Sequence, residues 1–294
     1  MELRHIRYFI RAAEVLHFTH AAESLRISQP TLSTQIQQLE EELGLPLFNR
    51  IGHHVRLTEA GNVFLEYARR SVRELDIAME EIADIKGLKS GTLRLAALLL
   101  FGQLPTWLAN FNRNYPNIQI ALKSGPSDQL EAELLAGNVD LALSIVPTSS
   151  AELVYENLFS DRVFFVVSKQ HPLAEREEIT VEELSTTPLA IVSNKTAARK
   201  LLDGIFAERQ LKPKIVVEID DLQAILKIAG GGKVGTILTG LAVRGQNHLR
   251  CIPISGVSIV LNFGIVWHKH AHLSPPARAF FEHARREYRN QPVP

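Results

Sequence analysis

The chain has 294 residues, 46% of them hydrophobic and 22% charged, and its 32 basic side chains balance its 32 acidic ones. That is long enough to bury two cores and a connector, and the neutral balance argues against a protein that coats nucleic acid or membrane through bulk charge. No apolar run approaches the roughly 18 residues a bilayer crossing needs, Met1 to Arg11 is charged and helix-patterned rather than signal-like, and the single Cys251 excludes an internal disulfide, so a cytoplasmic protein is expected.

In chain order, Leu3, Ile6, Phe9, Ile10 and Ala13 recur at helical spacing and predict a first helix that stops near His17. Thr19 is expected to cap a second helix packed through Ala21, Ala22 and Leu25, and Ser28 a third, with Pro30 in its first turn where a missing N–H costs nothing. Only Arg26 and Ile27 separate these two helices, so they must cross steeply as a helix-turn-helix. With Leu32, Ile36, Leu39 and Leu43 turned inward, the outward positions are Pro30, Thr31, Ser33, Thr34, Gln37 and Gln38, with Gln29 at the exposed start. These side chains can read base edges: Gln pairs with adenine, Thr touches the thymine methyl, and Ser serves as donor or acceptor. In "PLFNRIGHHVRLT", Pro46 to Thr58, Gly52 turns between two short extended pieces carrying Arg50, His53, His54 and Arg56, a hairpin suited to phosphates.

The stretch "FTHAAESLRISQPTLSTQIQQLEEELGLPLFNRIGHHVRLTEAG" closely resembles the winged helix-turn-helix of LysR-type transcriptional regulators. That resemblance implies double-stranded DNA as partner and places the contacts on Gln29, Pro30, Thr31, Ser33, Thr34, Gln37 and the wing's Arg50 and Arg56. The family often carries a basic residue on this helix face where Thr34 and Gln37 stand here, so guanine readout by the helix is expected to be weak. Within residues 1–58, Arg4, Arg7, Arg11, Arg26, Arg50 and Arg56 are matched by Glu2, Glu14, Glu23, Glu40, Glu41 and Glu42, and a head this neutral needs multivalency. Phe64, Ala68, Ser71, Leu75, Ala78, Ile82 and Ile85 follow a Thr58 cap at alternating four- and three-residue steps, a seam that predicts a homodimer through this helix. The resemblance further implies a homotetramer, and RNA polymerase is a candidate partner of such a regulator.

At "GLKSGT" the pattern changes to alternating strands ("TLRLAAL", "IQIALKSG", "LALSIV", "RVFFVVS", "LAIVSN", "KIVVEID", "TILTGLAV") and helices, which predicts an α/β unit with a mostly parallel sheet. Its two similar halves resemble periplasmic substrate-binding proteins and the effector domain of the LysR-type family. The expected fold is therefore an N-terminal all-α winged helix-turn-helix (1–58) and a long linker helix (59–90), followed by a C-terminal two-lobe α/β effector domain (91–294). Lobe one is expected to take 91–161 plus 268–294, and lobe two 162–267.

Open α/β sheets bind ligands at the carboxyl ends of their strands. Those ends offer Leu98, Leu99, Leu100 and Phe101 as an apolar wall where the family usually has Ser or Thr, with Ile145 and Val146 closing "LALSIV". Ser124, Ser127 and "SNKTAAR" supply a polar wall, with Ser193, Asn194 and Thr196 at a helix start and Lys195 and Arg199 adding charge. An amphiphilic effector with an acidic or carbonyl head fits both walls, and no cofactor is called for. Ser193 and His268 lack the spacing of a nucleophile and base, so no catalytic residue is assigned. His268, His270 and His272 would share a strand face, but a solvated strand end explains them better than a metal site. "AGGGKVG" lacks phosphate-loop spacing and reads as a helix-to-strand turn. A soluble solute-binding component is the competing class, and the helix-turn-helix favours a regulator.

Overall fold

Helical spacing and local caps fold the N-terminal stretch into α1 (Leu3–Val15), α2 (Phe18–Leu25) and α3 (Gln29–Leu43), then a hairpin of β1 (Phe48–Ile51) and β2 (His54–Leu57), then the long α4 (Glu59–Ile85). The computed structural model describes residues 1–51, 54–85, 90–98, 104–192 and 197–289, which fall into an N-terminal unit and a larger C-terminal one. Ser28 caps α3 by accepting the Thr31 N–H at 3.2 Å, Pro30 sits in the first turn, and Gly44 ends the helix at φ 74°. The cap of α2 differs from expectation. It is His17, whose Nδ1 accepts the His20 N–H at 3.4 Å, because Phe18 already starts the helix and drives its ring into the core; Thr19 therefore lies inside the first turn.

An aromatic cluster ties this unit together. Phe9 of α1 meets Phe48 of β1 at 5.5 Å and Phe64 of α4 at 5.1 Å, and Phe18 meets Phe48 edge-on at 5.3 Å. Leu32, Ile36 and Leu39 of α3 are fully buried against it, whereas Leu43, expected to face inward, is 38% exposed in the last turn. The carboxylate of Glu40 accepts the N–H groups of Leu47 (2.7 Å) and Phe48 (3.1 Å) and so sets the start of the hairpin. Phe64 and Ala68, the first members of the expected dimer seam, belong to this chain's own core; beyond them Leu75 is 48%, Ile82 50% and Ile85 86% exposed.

The C-terminal unit runs β3 (Gly91–Ala97), α5 (Leu104–Asn114), β4 (Ile118–Ser124), α6 (Ser127–Leu135), β5 (Leu141–Val146) and β6 (Leu153–Ser168). It continues with α7 (Val181–Thr186), β7 (Leu189–Ile191), α8 (Ala197–Glu208), β8 (Ile215–Glu218), α9 (Leu222–Gly230), β9 (Thr236–Thr239) and α10 (Gly240–Val243). β10 (Leu249–Ile252), β11 (Val260–His268) and α11 (Pro275–Arg289) complete it.

The main sheet has the order β10-β6-β11-β5-β3-β4, with β9 also on β6. Only β3 with its neighbours β4 and β5, and the separate pair β7-β8, are parallel; β6 pairs antiparallel with β9, β10 and β11, and β11 antiparallel with β5. The expectation of a mostly parallel sheet is thus corrected, because the long β6 and β11 run against their neighbours. β6 pairs with β11 through Leu153–Arg162 and with β9 and β10 through Val163–Ser168, so one strand serves both lobes. β11 pairs with β5 and with the first part of β6, which moves the return to lobe one from the expected 268 to Val260.

Phe111 of α5 packs edge-on against Phe280 of α11 at 5.3 Å, and Leu93, Leu95 and Ile265 of the first lobe are fully buried. In the second lobe, Phe165, Ile191, Phe206 and Ile252 form one cluster, and Val166, Ile225 and Leu238 another. "AGGGKVG" makes the expected turn, with Gly231 capping α9 and Gly232 at φ 84°.

One close approach fixes the hairpin against α4: a Cβ at Gly61 would collide with the Leu47 carbonyl oxygen. Gly61→Ala is therefore expected to destabilise the N-terminal unit by about 1–3 kcal/mol. Calorimetry of the full chain checks this against the wild type; an unchanged melting temperature would show that the Leu47 segment retreats at no cost.

Candidate functional site

The exposed face of α3 follows from its burial. With Leu32, Ile36 and Leu39 taken by the core, Gln29, Pro30, Thr31, Thr34, Gln37 and Gln38 are exposed and Ser33 is partly so. Gln29 donates one Nε2 hydrogen to Ser33 Oγ at 2.8 Å, which orients the amide and leaves its Oε1 and second N–H, the pair an adenine edge requires. Thr31 and Ser28 share a hydroxyl hydrogen bond of 2.7 Å. Gln37 donates to Glu41 at 2.8 Å, so one of its N–H groups is engaged and a carboxylate stands at that end of the face.

Several arginines of the N-terminal unit are occupied. Arg4 pairs with Glu2 (3.0 Å), Arg7 with Asp76 (3.3 Å), Arg11 with Glu14 (3.3 Å), and Arg69 also with Glu14 (3.5 Å). Arg56, opposite Asn49 in the hairpin, is exposed and has no carboxylate partner among the described residues. The same holds for Arg26, which occupies the left-handed turn between α2 and α3 at φ 57°. Arg26 lies outside the helical pattern that marks the exposed α3 positions, and its one signal in the sequence is that it is the sole basic residue between the two helices. Arg50 stands opposite Val55 in β1, and the expected turn at Gly52 and His53 lies outside the described residues.

In the C-terminal unit, β4, β3 and β5 are parallel neighbours, so their carboxyl ends lie side by side: Ala97 pairs with Ser124 and with Leu143. This brings together Leu98, buried and donating its N–H to Leu143 at 3.1 Å, with Ser124, Ile145 and Val146. Ser124 is exposed, Ile145 half-buried and Val146 buried. Ser127 starts α6 almost fully buried, and its Oγ has no hydrogen-bond partner among the described residues. Glu131, one turn on, is buried and holds Ser149 of the loop after β5 through both the backbone N–H (3.2 Å) and the hydroxyl.

Leu99, Leu100, Phe101, Ser193, Asn194, Lys195 and Thr196 lie outside the described residues. Arg199, expected to add free charge, is instead buried and engaged: it donates to Asp203 (2.8 Å) and to the Val192 carbonyl (2.9 Å) and lies 3.5 Å from Glu218. His268, His270 and His272 do not share a strand face, since β11 ends at His268, which is buried and accepts the His270 N–H at 3.2 Å on Nδ1. No group of three metal-ligating side chains occurs among the described residues.

A winged helix-turn-helix with a polar reading face, and a two-lobe sheet whose strand ends gather hydroxyl and apolar groups, define a DNA-binding regulator that answers to a small molecule. Residues 3–62 match the model of the bacterial regulatory helix-turn-helix protein, lysR family, and residues 86–289 that of the LysR substrate binding domain. The chain belongs to the LysR family of transcriptional regulators. It is 33% identical over 96% of its length to the transcriptional activator CmpR of Synechocystis, 94% of which is covered. Among solved structures, full-length OxyR of Pseudomonas aeruginosa superposes with a TM-score of 0.74 at 22% identity, covering 99% of this chain and 95% of that one. CbnR complexed with its target DNA gives 0.65 at 25% identity, covering 97% and 99%. The regulatory domain of Synechocystis CcmR in complex with 2-PG gives 0.63 at 20% identity over 69% of this chain and all of that one. These relatives are regulators rather than enzymes, and no described helix is long and apolar enough to cross a membrane.

Proposed function

We propose that residues 1–58 read duplex DNA, that 59–90 join two copies, and that 91–294 hold the effector, in a cytoplasmic homodimer or dimer of dimers that acts on RNA polymerase. The observation that carries the DNA assignment is α3 itself: three fully buried apolar residues on one side and an exposed Gln29, Pro30, Thr31, Thr34 and Gln37 on the other, with Ser33 orienting Gln29. Arg26 joins the wing's Arg50 and Arg56 as a phosphate contact, because its unpartnered charge stands at the turn leading into the reading helix. Selection of bound sequences from a random duplex pool is expected to enrich an inverted repeat. On the selected site, Gln29→Ala should lose roughly 1–3 kcal/mol of specific binding with little loss on random DNA. Arg26→Ala and Arg56→Ala should weaken both and lower the salt slope by about one each. A Gln29 variant that loses equally on both would move that residue to the phosphate class.

The exposed stretch of α4 supports a second copy as partner. Leu75, Ala78, Ile82 and Ile85 continue the seam after its first members turn into the core, and Tyr67 and Met79 add exposed apolar area. Leu75→Glu combined with Ile82→Glu is expected to lower the association state in sedimentation velocity and to weaken binding to paired half-sites. Retention of the wild-type assembly would take this helix out of the interface.

For the effector, the buried hydroxyl of Ser127 at the start of α6, without a partner among the described residues, favours an acceptor such as a carboxylate. Leu98, Ile145 and Val146 favour an apolar body, to which Leu99, Leu100 and Phe101 add from the same loop, while Ser124, Ser193, Asn194 and Thr196 complete the polar side. Small aromatic and aliphatic carboxylates screened by thermal shift are expected to include stabilising compounds. Their effect should shrink in Ser127→Ala by the roughly 1.5–3 kcal/mol of one hydrogen bond to a charged group. Compounds that stabilise both proteins equally would place the ligand elsewhere.

A further inference from the structure

On the second lobe, away from the strand ends assigned to the effector, the chain after α10 folds into two consecutive hydrogen-bonded turns. Gln246 donates its N–H to the Val243 carbonyl at 3.0 Å, with Arg244 at φ −57°, ψ 130° and Gly245 at φ 85°, the type II geometry that needs glycine at its third position. Leu249 then donates to Gln246 at 2.9 Å, and Lys169, just past the end of β6, donates its backbone N–H to His248 at 3.1 Å. These ties hold Lys169, Arg244, Gln246 and Asn247 around one open depression of about 390 Å³, over Val243, Leu249 and Cys251.

Lys169 and Arg244 are both exposed and neither has a carboxylate partner among the described residues. By contrast, Arg176, Arg199, Arg209 and Arg250 of the same lobe pair with Glu183, Asp203, Glu182 and Glu175. The carboxylate that acts on the floor, Asp161, is engaged in accepting the Leu241 N–H at 2.7 Å. Two cations held beside two side-chain amides by fixed turns match a small dianion better than a monocarboxylate. We propose that this depression is a second binding site, separate from the effector pocket, for a small phosphate-bearing anion: inorganic phosphate or a phosphate monoester. Its solvated cations set affinity at about millimolar.

The single cysteine makes the site measurable. Cys251 is half-buried on the pocket floor, where burial and then the Asp161 charge raise its thiol above the ordinary range, so a bound dianion both shields it and raises it further. In the full-length protein, phosphate is expected to slow N-ethylmaleimide labelling of Cys251 saturably, about three- to tenfold, whereas chloride and acetate at matched ionic strength do not. Lys169→Ala and Arg244→Ala, both surface changes, should each weaken phosphate protection roughly tenfold, measured against that variant's own phosphate-free labelling rate. Calorimetric titration of phosphate into the same three proteins reads the site independently of thiol reactivity. Glycerol phosphate identifies the source: tighter protection than by inorganic phosphate assigns a monoester that uses the Val243 and Leu249 floor, and equal protection assigns free phosphate. Protection that chloride reproduces, protection that survives both substitutions, or neither heat nor protection in the wild type overturns the proposal.

Discussion

Duplex DNA presents a charge about every 1.7 Å of its axis, and protein affinity for it comes largely from releasing the counterions those charges hold. The N-terminal unit meets that requirement with few free cations, since Arg4, Arg7, Arg11 and Arg69 already pair with carboxylates of their own chain. α3 carries three glutamates at its end and no Lys or Arg. A single head thus has little electrostatic grip, and in the proposed reading the difference comes from amides and hydroxyls aimed at base edges, a few guanidiniums on turn and wing, and the doubling of heads. Exposed apolar side chains along α4, which would be a liability on a monomer, fit the proposed pairing of two copies.

Base readout by neutral side chains works only if those side chains are held in place. The cluster of Phe9, Phe18, Phe48 and Phe64 connects α1, α2, the hairpin and α4, and α3 lies on it through Leu32, Ile36 and Leu39. Because the apolar stripe is this narrow, the opposite face is left free. Glu40, on the same helix, spends its charge on the N–H groups of Leu47 and Phe48 and positions the hairpin that bears Arg50 and Arg56.

Local signals explain what was legible in the sequence. Ser28, Pro30 and Gly44 mark the ends of α3 by their own backbone chemistry, and the 3.6-residue period marks its inner face. Leu43 and the first part of the α4 seam misled for a related reason: spacing shows which residues share a face, but not whether the partner is the same chain, another chain or water. Strand direction was illegible because a run such as "VFFVVS" carries apolar content without polarity of pairing; only the structure shows β6 and β11 running against their neighbours. The engagement of Arg199 was partly readable, since Asp203 stands four residues on along the same helix.

Those two long strands also bear on how a small molecule can act. A ligand shifts a conformational equilibrium only by the difference in its affinity for the states, typically 1–3 kcal/mol in coupled systems. A buried hydroxyl without a partner costs a comparable amount, about 1–3 kcal/mol, and Ser127 Oγ is such a group among the described residues. In the proposed effector site, an acceptor that satisfied Ser127 would recover that cost in whichever arrangement brings it to the start of α6. Glu131, on the same face one turn later, carries the position of α6 to the loop after β5 through Ser149. β5 in turn pairs with β11, and β11 with the strand that continues into the second lobe. One satisfied hydroxyl at the strand ends is therefore of the right size, and attached to the right elements, to bias one arrangement of the lobes over another.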